Sequence, residues 1–122
     1  MTRDELIAAL ESAERGSREL SDEVLLAFGY RERTWEGESV RGLCGPDERF
    51  YGWWRDRPSP TRSVDDALAL VPERWYARKI AQWPRHWEVA LIKGGKLATS
   101  GAATPALALC AAALRTMDKG EG

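Results

Sequence analysis

The stretch from residue 102 to residue 117 constrains the fold most, because it predicts a helix that is apolar on every side. Thr104 can cap this helix with its hydroxyl, and Pro105 suits the first helical position, where a backbone N–H is not needed. From Ala106 to Leu114 the chain carries no charge, and alanines fill the side opposite the larger residues. A helix of this kind is normally buried. We therefore expect it to form the core, with its alanines allowing a sheet or a second helix to approach closely.

Three more helices are indicated upstream, each by a hydroxyl residue that can cap its first turn and by a Gly or Pro that ends it. The caps and ends are Thr2 with Gly16, Ser21 with Gly29, and Ser63 with Pro72. Thr2 and Glu5 also have the spacing of a capping box, in which each side chain bonds the other's backbone. The second helix is expected to be short, and the third to cover residues 64–71.

Three candidate strands follow, over residues 75–82, 87–93 and 96–100. The Gly94-Gly95 pair between the last two is typical of a two-residue hairpin turn. From residue 63 onward the predicted order is therefore helix, three antiparallel strands, helix. The predicted fold class is α+β: a three-stranded antiparallel sheet with helices packed on it, in a layered sandwich with an α-β-β-β-α core, plus N-terminal helices.

A chain of 122 residues is expected to form a single domain, here over residues 1–122. Within it, Gly and Pro interrupt every period in residues 30–60, where only residues 50–54 favour a short strand. We predict an irregular, aromatic-rich insertion there and a frayed tail at residues 118–122. Long irregular stretches are uncommon in compact domains unless they are functional or mobile. Residues 30–60 are therefore the first place to look for a site.

Charge and apolar runs narrow the function classes. With 18 Lys and Arg against 19 Asp and Glu, the net charge of −1 does not indicate a protein that works by neutralising phosphates, although it could conceal a local cationic patch. The longest apolar run has nine residues, and a membrane span needs about 20. No secretion signal opens the chain, which predicts a cytoplasmic protein. Cys44, in a Gly/Pro-rich loop, and Cys110, on the apolar helix, are expected to stay reduced there.

No catalytic or metal-binding motif is recognisable in the sequence. His86 is the only histidine, so a site with several histidines is excluded, and its place in a predicted turn is typical of a solvated residue. Cys44 and Cys110 lack the spacing of zinc ligands. Asp65 and Asp66 are more simply explained as carboxylates that favour a helix N-terminus. Neither a phosphate-binding loop nor a nucleophile elbow occurs. We predict a protein without catalytic activity, cofactor or metal.

The tryptophans give the clearest indication of function. There are six in the chain, of which Trp75 and Trp87 fit the core by strand alternation. The aromatic residues of segment 30–60 lie instead among arginines, and large aromatics with arginine dominate binding hot spots. The same side chains could also fold this segment back onto the sheet. If they are exposed, the predicted recognition residues are Trp35, Arg49, Tyr51, Trp53, Trp54 and Arg55.

A nucleic-acid-binding protein is the alternative. The order helix, three strands, helix is also the layout of the double-stranded-RNA-binding domain, whose last helix opens with a Lys-Lys-x-Ala-Lys run that grips phosphates. Residues 104–108 of this chain read Thr-Pro-Ala-Leu-Ala, without a cation. Basic and aromatic residues do alternate nearby, and such strands can stack bases. The basic and aromatic residues in question are Arg74, Trp75, Tyr76, Arg78, Lys79, Trp83, Arg85 and Trp87. A strand with an aromatic face inward and a charged face outward explains this pattern more simply, so nucleic acid is not the expected partner.

Two blocks of the chain resemble a known family. Residues 61–75 (TRSVDDALALVPERW), then Trp87, and residues 101–115 (GAATPALALCAAALR) resemble small phage and prophage proteins that carry a phage α/β/α sandwich domain. The N-terminal helix resembles the family more loosely. The resemblance implies a bacteriophage or prophage origin and a layered αβ fold, but no activity, since it supplies no catalytic residues.

The expected function is therefore that of an accessory protein in the host bacterial cytoplasm. It would act by binding a host protein or a small ligand, as in blunting a host defence. Self-association through an apolar helix face is a further expectation.

Overall fold

Helices and strands are defined for residues 1–34 and 41–117, the part of the chain that the computed structural model describes. The helices are α1 (Arg3–Ser12), α2 (Arg18–Ala27), α3 (Val64–Leu68) and α4 (Pro105–Arg115). A small antiparallel sheet contains β1 (Arg31–Arg33), β2 (Gly42–Cys44) and β3 (Phe50–Trp53). A large antiparallel sheet contains β4 (Tyr76–Gln82), β5 (Trp87–Lys93) and β6 (Lys96–Ala102). The fold is α+β, as predicted.

Helix α4 forms the centre of the core. Every residue from Ala106 to Leu114 is buried, on all sides of the helix. The helix begins as the sequence predicts, because the Leu107 N–H donates to Thr104 Oγ1 at 3.2 Å and Pro105 occupies the first turn. α4 lies on β5 and β6, and α1 and α3 pack against it. The prediction of a buried, alanine-lined helix is confirmed, and residues 106–114 leave no apolar face open for self-association.

The large sheet has one covered and one open face. Register aligns Leu91 with Ala77 and Ala98 on the inner face, where Leu91 and Ala98 are buried. One residue further along, Tyr76, Ile92 and Leu97 are aligned on the outer face. There Tyr76 is 70% exposed and Leu97 58% exposed. α4 therefore covers the inner face, while the outer face carries large side chains in solvent.

Helix α1 is held to this core by a polar contact as well as by packing. Its capping box forms as predicted between Thr2 and Glu5. From its last turn, Glu11 accepts hydrogen bonds from Ser100 Oγ at 2.5 Å and from Arg115 Nη2 at 3.0 Å. One carboxylate therefore ties α1 to both β6 and α4.

Three predicted helix boundaries were wrong. α1 ends at Ser12 and not at Gly16, α2 is capped by Ser17 and not by Ser21, and α3 ends at Leu68 and not at residue 71. Gly29, with φ of 92°, follows α2 as expected.

Long-range contacts with Thr61 explain the first two errors. A Cβ at Gly16 would overlap the Thr61 carbonyl group, so glycine is needed there for close approach and not for ending a helix. Ser21 lies inside α2, fully buried, with its Oγ 2.6 Å from Thr61 Oγ1. The Ser17 N–H also donates to Thr61 Oγ1, at 3.1 Å. Local sequence could not reveal a partner that is 40 or more residues away.

Residues 30–60 are more regular than predicted. The expected strand at 50–54 is present as β3, but β1 and β2 were missed, and with them the small sheet. Cys44 lies in β2 and is fully buried, so its assignment to a loop was wrong. β1 and β2 have three residues each, which is too short for a periodic pattern. The frayed tail predicted at 118–122 lies outside the described residues.

Burial also determines the protonation of the Cys110 thiol in the core. It raises the pKa of the Cys110 thiol to about 12, which keeps the sulfur neutral and unreactive.

Within residues 1–34 and 41–117, none of the helices combines the length and the apolar character needed to cross a membrane.

The substitution Ala111→Leu tests the packing of α4. Ala111 is fully buried, so three additional carbons must displace the sheet or a helix, and the free energy of unfolding should fall by about 1–3 kcal/mol. Urea denaturation followed by circular dichroism measures the change. The matched control is Ala8→Leu on the exposed side of α1, which should change stability by no more than about 0.5 kcal/mol. Equal effects of the two substitutions would contradict the burial of α4.

Candidate functional site

Two aromatic rings of β3 share one face of the small sheet because the strand contains a bulge. Phe50 pairs with Cys44 and Trp53 pairs with Gly42, so three steps along β3 match two along β2. Without the additional residue, Phe50 and Trp53 would point to opposite faces. Gly52, with φ of 116°, supplies a backbone conformation that other residues rarely adopt. The two rings meet edge to face with their centroids 4.9 Å apart, and Phe50 is 49% and Trp53 38% exposed.

Arginines from β1 lie on the same face. Arg31 pairs with Cys44 and Arg33 with Gly42, which places both in register with the two rings. Glu48 accepts from Arg31 Nη2 at 2.7 Å, and this contact lowers the pKa of Glu48 and raises that of Arg31. The face therefore combines exposed aromatic area with guanidinium groups that are partly neutralised. We call Arg31, Arg33, Phe50 and Trp53 the small-sheet surface.

Tyr51 lies beside this surface and stabilises the β2–β3 turn. Its hydroxyl donates to Asp47 Oδ2 at 2.6 Å, which lowers the pKa of Asp47 and raises that of Tyr51. Its ring meets Tyr30 edge to face at 5.5 Å and lies so close to Gly45 that a Cβ there would overlap it. Tyr51 is 49% exposed, which meets the condition set for a recognition residue, but it is also held by the turn and by Tyr30.

Trp54 is less exposed than Trp53 and anchors the small sheet. It begins a 3₁₀ turn, Trp54–Asp56, and is partly buried beneath the Arg57 guanidinium, which lies 4.3 Å from the ring centroid. Arg57 in turn donates to both oxygens of Asp22 on α2, at 2.7 and 3.0 Å. Arg18 donates to the same carboxylate at 3.1 Å. This cluster fastens the end of the small sheet to α2.

The remaining predicted residues divide into two groups. Arg49 and Arg55 extend into solvent, each 3.8 Å from a neighbouring aspartate in sequence. Trp35 lies outside the described residues. The structure therefore brings Trp53 together with Phe50, Arg31 and Arg33, which sequence reasoning left out of the site. The available signal was Gly52, whose place between aromatics marks a possible bulge.

A second exposed aromatic group lies on the outer face of the large sheet. Trp83 is 46% exposed and its ring is nearly parallel to that of His86, with the centroids 6.4 Å apart. Lys79 Nζ lies 5.4 Å from the Trp83 ring centroid and 2.7 Å from Glu88 Oε1. Trp75 and Trp87 pack into or against the core, as predicted. The interpretation that this segment turns its aromatics inward is thus wrong for Tyr76 and Trp83.

Two cavities lie away from both surfaces. One of about 410 Å³ is formed between the start of α1, the end of α2 and the end of α4. Another, of about 590 Å³, is formed around Ser17, Thr61 and Thr104. In residues 1–34 and 41–117 no group of three or more His, Cys, Asp or Glu side chains is placed to hold a metal ion.

Comparison with known proteins gives no relative. No family model matches the chain, no curated protein matches it, and no solved structure matches it. The resemblance to phage and prophage proteins stays a prediction.

Replacing Asp22 tests the anchor beneath Trp54. Arg57 is only 14% exposed, so Asp22→Asn should lower the free energy of unfolding at pH 7 by about 1–3 kcal/mol, through the loss of charge-assisted hydrogen bonds. The hydrogen bond from Arg57 is the main cause that lowers the pKa of Asp22 in the folded protein. The carboxylate's contribution is therefore complete above its unfolded pKa of about 3.9 and is lost as the pH falls through the lower folded value.

Urea denaturation of wild type and Asp22→Asn at a series of pH values measures this difference. The gap should be constant from pH 5 to 8 and should close on acidification below about pH 4. Asp56→Asn is the matched control, since Asp56 is exposed and lies 3.8 Å from Arg55; it should have little effect at any pH. A gap for Asp22→Asn that is unchanged down to pH 2 would contradict the assignment.

Proposed function

We propose that the protein is a non-catalytic binding protein and that the small-sheet surface recognises a protein partner. The observation that carries the proposal is the exposure of Phe50 and Trp53 beside Arg31 and Arg33. The hydrophobic core is formed without either of the two rings. Leaving large aromatics in solvent has no benefit for folding. Aromatic side chains and arginine are also the residues that contribute most to protein–protein affinity.

The shape of the surface favours a protein over a small ligand. Small-molecule sites are concave and cover most of the ligand. Phe50 and Trp53 lie on the face of a three-stranded sheet, and neither of the two cavities is lined by them. A partner with a broad face can cover both rings at once. A small ligand is the alternative occupant.

The biological setting belongs to the same proposal. The resemblance of residues 61–75 and 101–115 to phage and prophage proteins supports an accessory protein of a bacteriophage or prophage, with a partner in the host bacterial cytoplasm. An action against a host defence is compatible with binding alone and requires no active site.

The proposed absence of catalysis rests on three carboxylates that are held in structural hydrogen bonds. Asp47 and Glu48 are engaged by Tyr51 and Arg31, and Asp66 accepts from the Ser59 N–H at 2.8 Å. Each of these bonds has a structural role in a turn, a sheet or the segment before α3. For Asp47 and Glu48 this engagement lowers the carboxyl pKa, which favours an ionised, inert carboxylate over a general acid or base.

Trp53→Ala tests the proposal. Protein captured from host lysate by the wild type is identified by mass spectrometry, purified and titrated against each variant by calorimetry. If Trp53 is a hot spot, its loss should raise the dissociation constant about 30-fold or more, which corresponds to about 2 kcal/mol. Phe50→Ala should have a similar effect because the two rings support each other. The double replacement of Trp53 and Trp54 is less informative, since Trp54 anchors the sheet.

Trp83→Ala is the matched control, because it removes an indole of comparable exposure from the other sheet. It should leave the dissociation constant unchanged. Unfolding midpoints of all variants establish that they are folded. A partner that binds wild type, Phe50→Ala and Trp53→Ala equally well would contradict the proposed surface.

A further inference from the structure

We propose that the outer face of the large sheet binds a single strand of nucleic acid, independently of the small-sheet surface. The outer face is formed by Tyr76, Lys79, Trp83 and His86 with the adjoining residues of β5 and β6. The proposal goes beyond the protein-binding function and concerns a different side of the molecule.

The first observation is a separation of charge that the net value of −1 conceals. Residues 74–102, which contain the three strands, have six Lys and Arg and one carboxylate, Glu88, and thus carry a net charge of +5. The rest of the chain carries −6. Glu88 is already paired with Lys79. A cationic segment of this kind attracts polyanions even when the whole protein is nearly neutral.

The second observation is the exposure of aromatic rings within the cationic segment. Tyr76 lies at one end of the outer face, in register with Ile92 and Leu97. Trp83 and His86 lie at the other end, where the His86 ring is within 3.2 Å of the position of a Cβ on Gly101. The absence of a side chain at Gly101 thus makes room for His86 on the sheet. Exposed rings on the face of a sheet provide stacking surfaces for bases.

The third observation concerns the cations themselves. In the part of the chain that is described, Arg74, Arg78 and Arg85 are exposed and have no carboxylate partner. Arg78 is the additional residue of a bulge in β4 and follows Ala77 where the register with β5 shifts. Arg74 adopts φ of 77°, a conformation in which glycine would be less strained. The presence of arginine at a position that strains its backbone indicates that its charge has a role.

A single strand fits these observations better than a duplex. Bases of a duplex are already stacked on each other, whereas unpaired bases can stack on aromatic side chains. A duplex-RNA reader of this layout would need cations where α4 begins, and residues 104–108 have none. The separation of Tyr76 from Trp83, seven residues along an extended strand, is roughly 23 Å and allows several nucleotides to lie across the face.

Fluorescence anisotropy with labelled 12-nucleotide oligo-dT and oligo-U tests the proposal, with a 12-base-pair duplex and polyglutamate for comparison. At 50 mM salt at least one single strand should bind in the micromolar range and more tightly than the duplex or polyglutamate. Affinity should fall with salt by about 0.7 log units per log unit for each phosphate contact. Trp83→Ala and Tyr76→Ala should each weaken binding about fivefold or more, because a base loses its stacking partner.

Arg74→Gly separates binding from folding. It removes a cation and relieves the strained φ, so it should weaken binding and reduce the salt dependence without lowering the unfolding midpoint. Trp53→Ala is the matched control, which should leave nucleic-acid affinity unchanged, just as Trp83→Ala should leave protein binding unchanged. Failure of one function is therefore distinguishable from failure of the other. No binding of either strand at 50 mM salt, preference for the duplex or polyglutamate, or indifference to both Tyr76 and Trp83 would overturn the proposal.

Discussion

Close packing of alanine on a sheet is the constraint on which the rest of this structure depends. Because α4 presents short side chains over most of its surface, β5 and β6 can approach it on one side and α1 and α3 on others. Because the helix is surrounded in this way, every residue from 106 to 114 is removed from water and stabilises the fold. The core is therefore complete without any contribution from the exposed aromatics of the small sheet or of the outer face.

A second set of contacts fixes the small sheet and the segment after it to α2, and leaves Phe50 and Trp53 exposed. Thr61 is hydrogen bonded to Ser17 and Ser21, and Arg57 bridges Trp54 and Asp22. These contacts are polar and directional: those of Arg57 follow β3, and those of Thr61 lie against the start of α2. Phe50 and Trp53 thus belong to an anchored sheet while 49% and 38% of their surface is exposed. Such preorganisation lowers the entropic cost of binding.

Sequence patterns predicted the parts of the fold that local chemistry determines. Thr104 and Pro105 mark the start of α4, Gly94-Gly95 marks the hairpin, and strand alternation places Trp75 and Trp87 at the core. Two of the three boundary errors, and the missed pairing of Phe50 with Trp53, share one physical origin, which is contact that local sequence does not reveal. Gly16 is required by its close approach to Thr61. Phe50 shares a face with Trp53 only because the register shifts between β2 and β3.

The small-sheet surface lies in the segment where the sequence predicted a site, but its residues differ from the predicted ones. Aromatics among arginines indicated residues 30–60, and Trp53 is exposed there. Trp54 could not be separated from Trp53 in sequence, since only the position of Arg57 and Asp22 decides which indole is covered. The proposed role of the outer face of the large sheet was not expected from the sequence, because net charge averages over the whole chain, whereas binding depends on the charge that one face presents.

Native-state hydrogen exchange of the individual amides tests the central claim most directly. If α4 is the closed core and the small sheet an attached binding surface, amides of residues 109–114 should exchange only through global unfolding, with the free energy that urea denaturation gives. The hydrogen-bonded amides of Gly45 and Trp54 in and beside the small sheet should exchange at a lower free energy. Exchange of the α4 amides at or below the free energy of those in the small sheet would contradict the account.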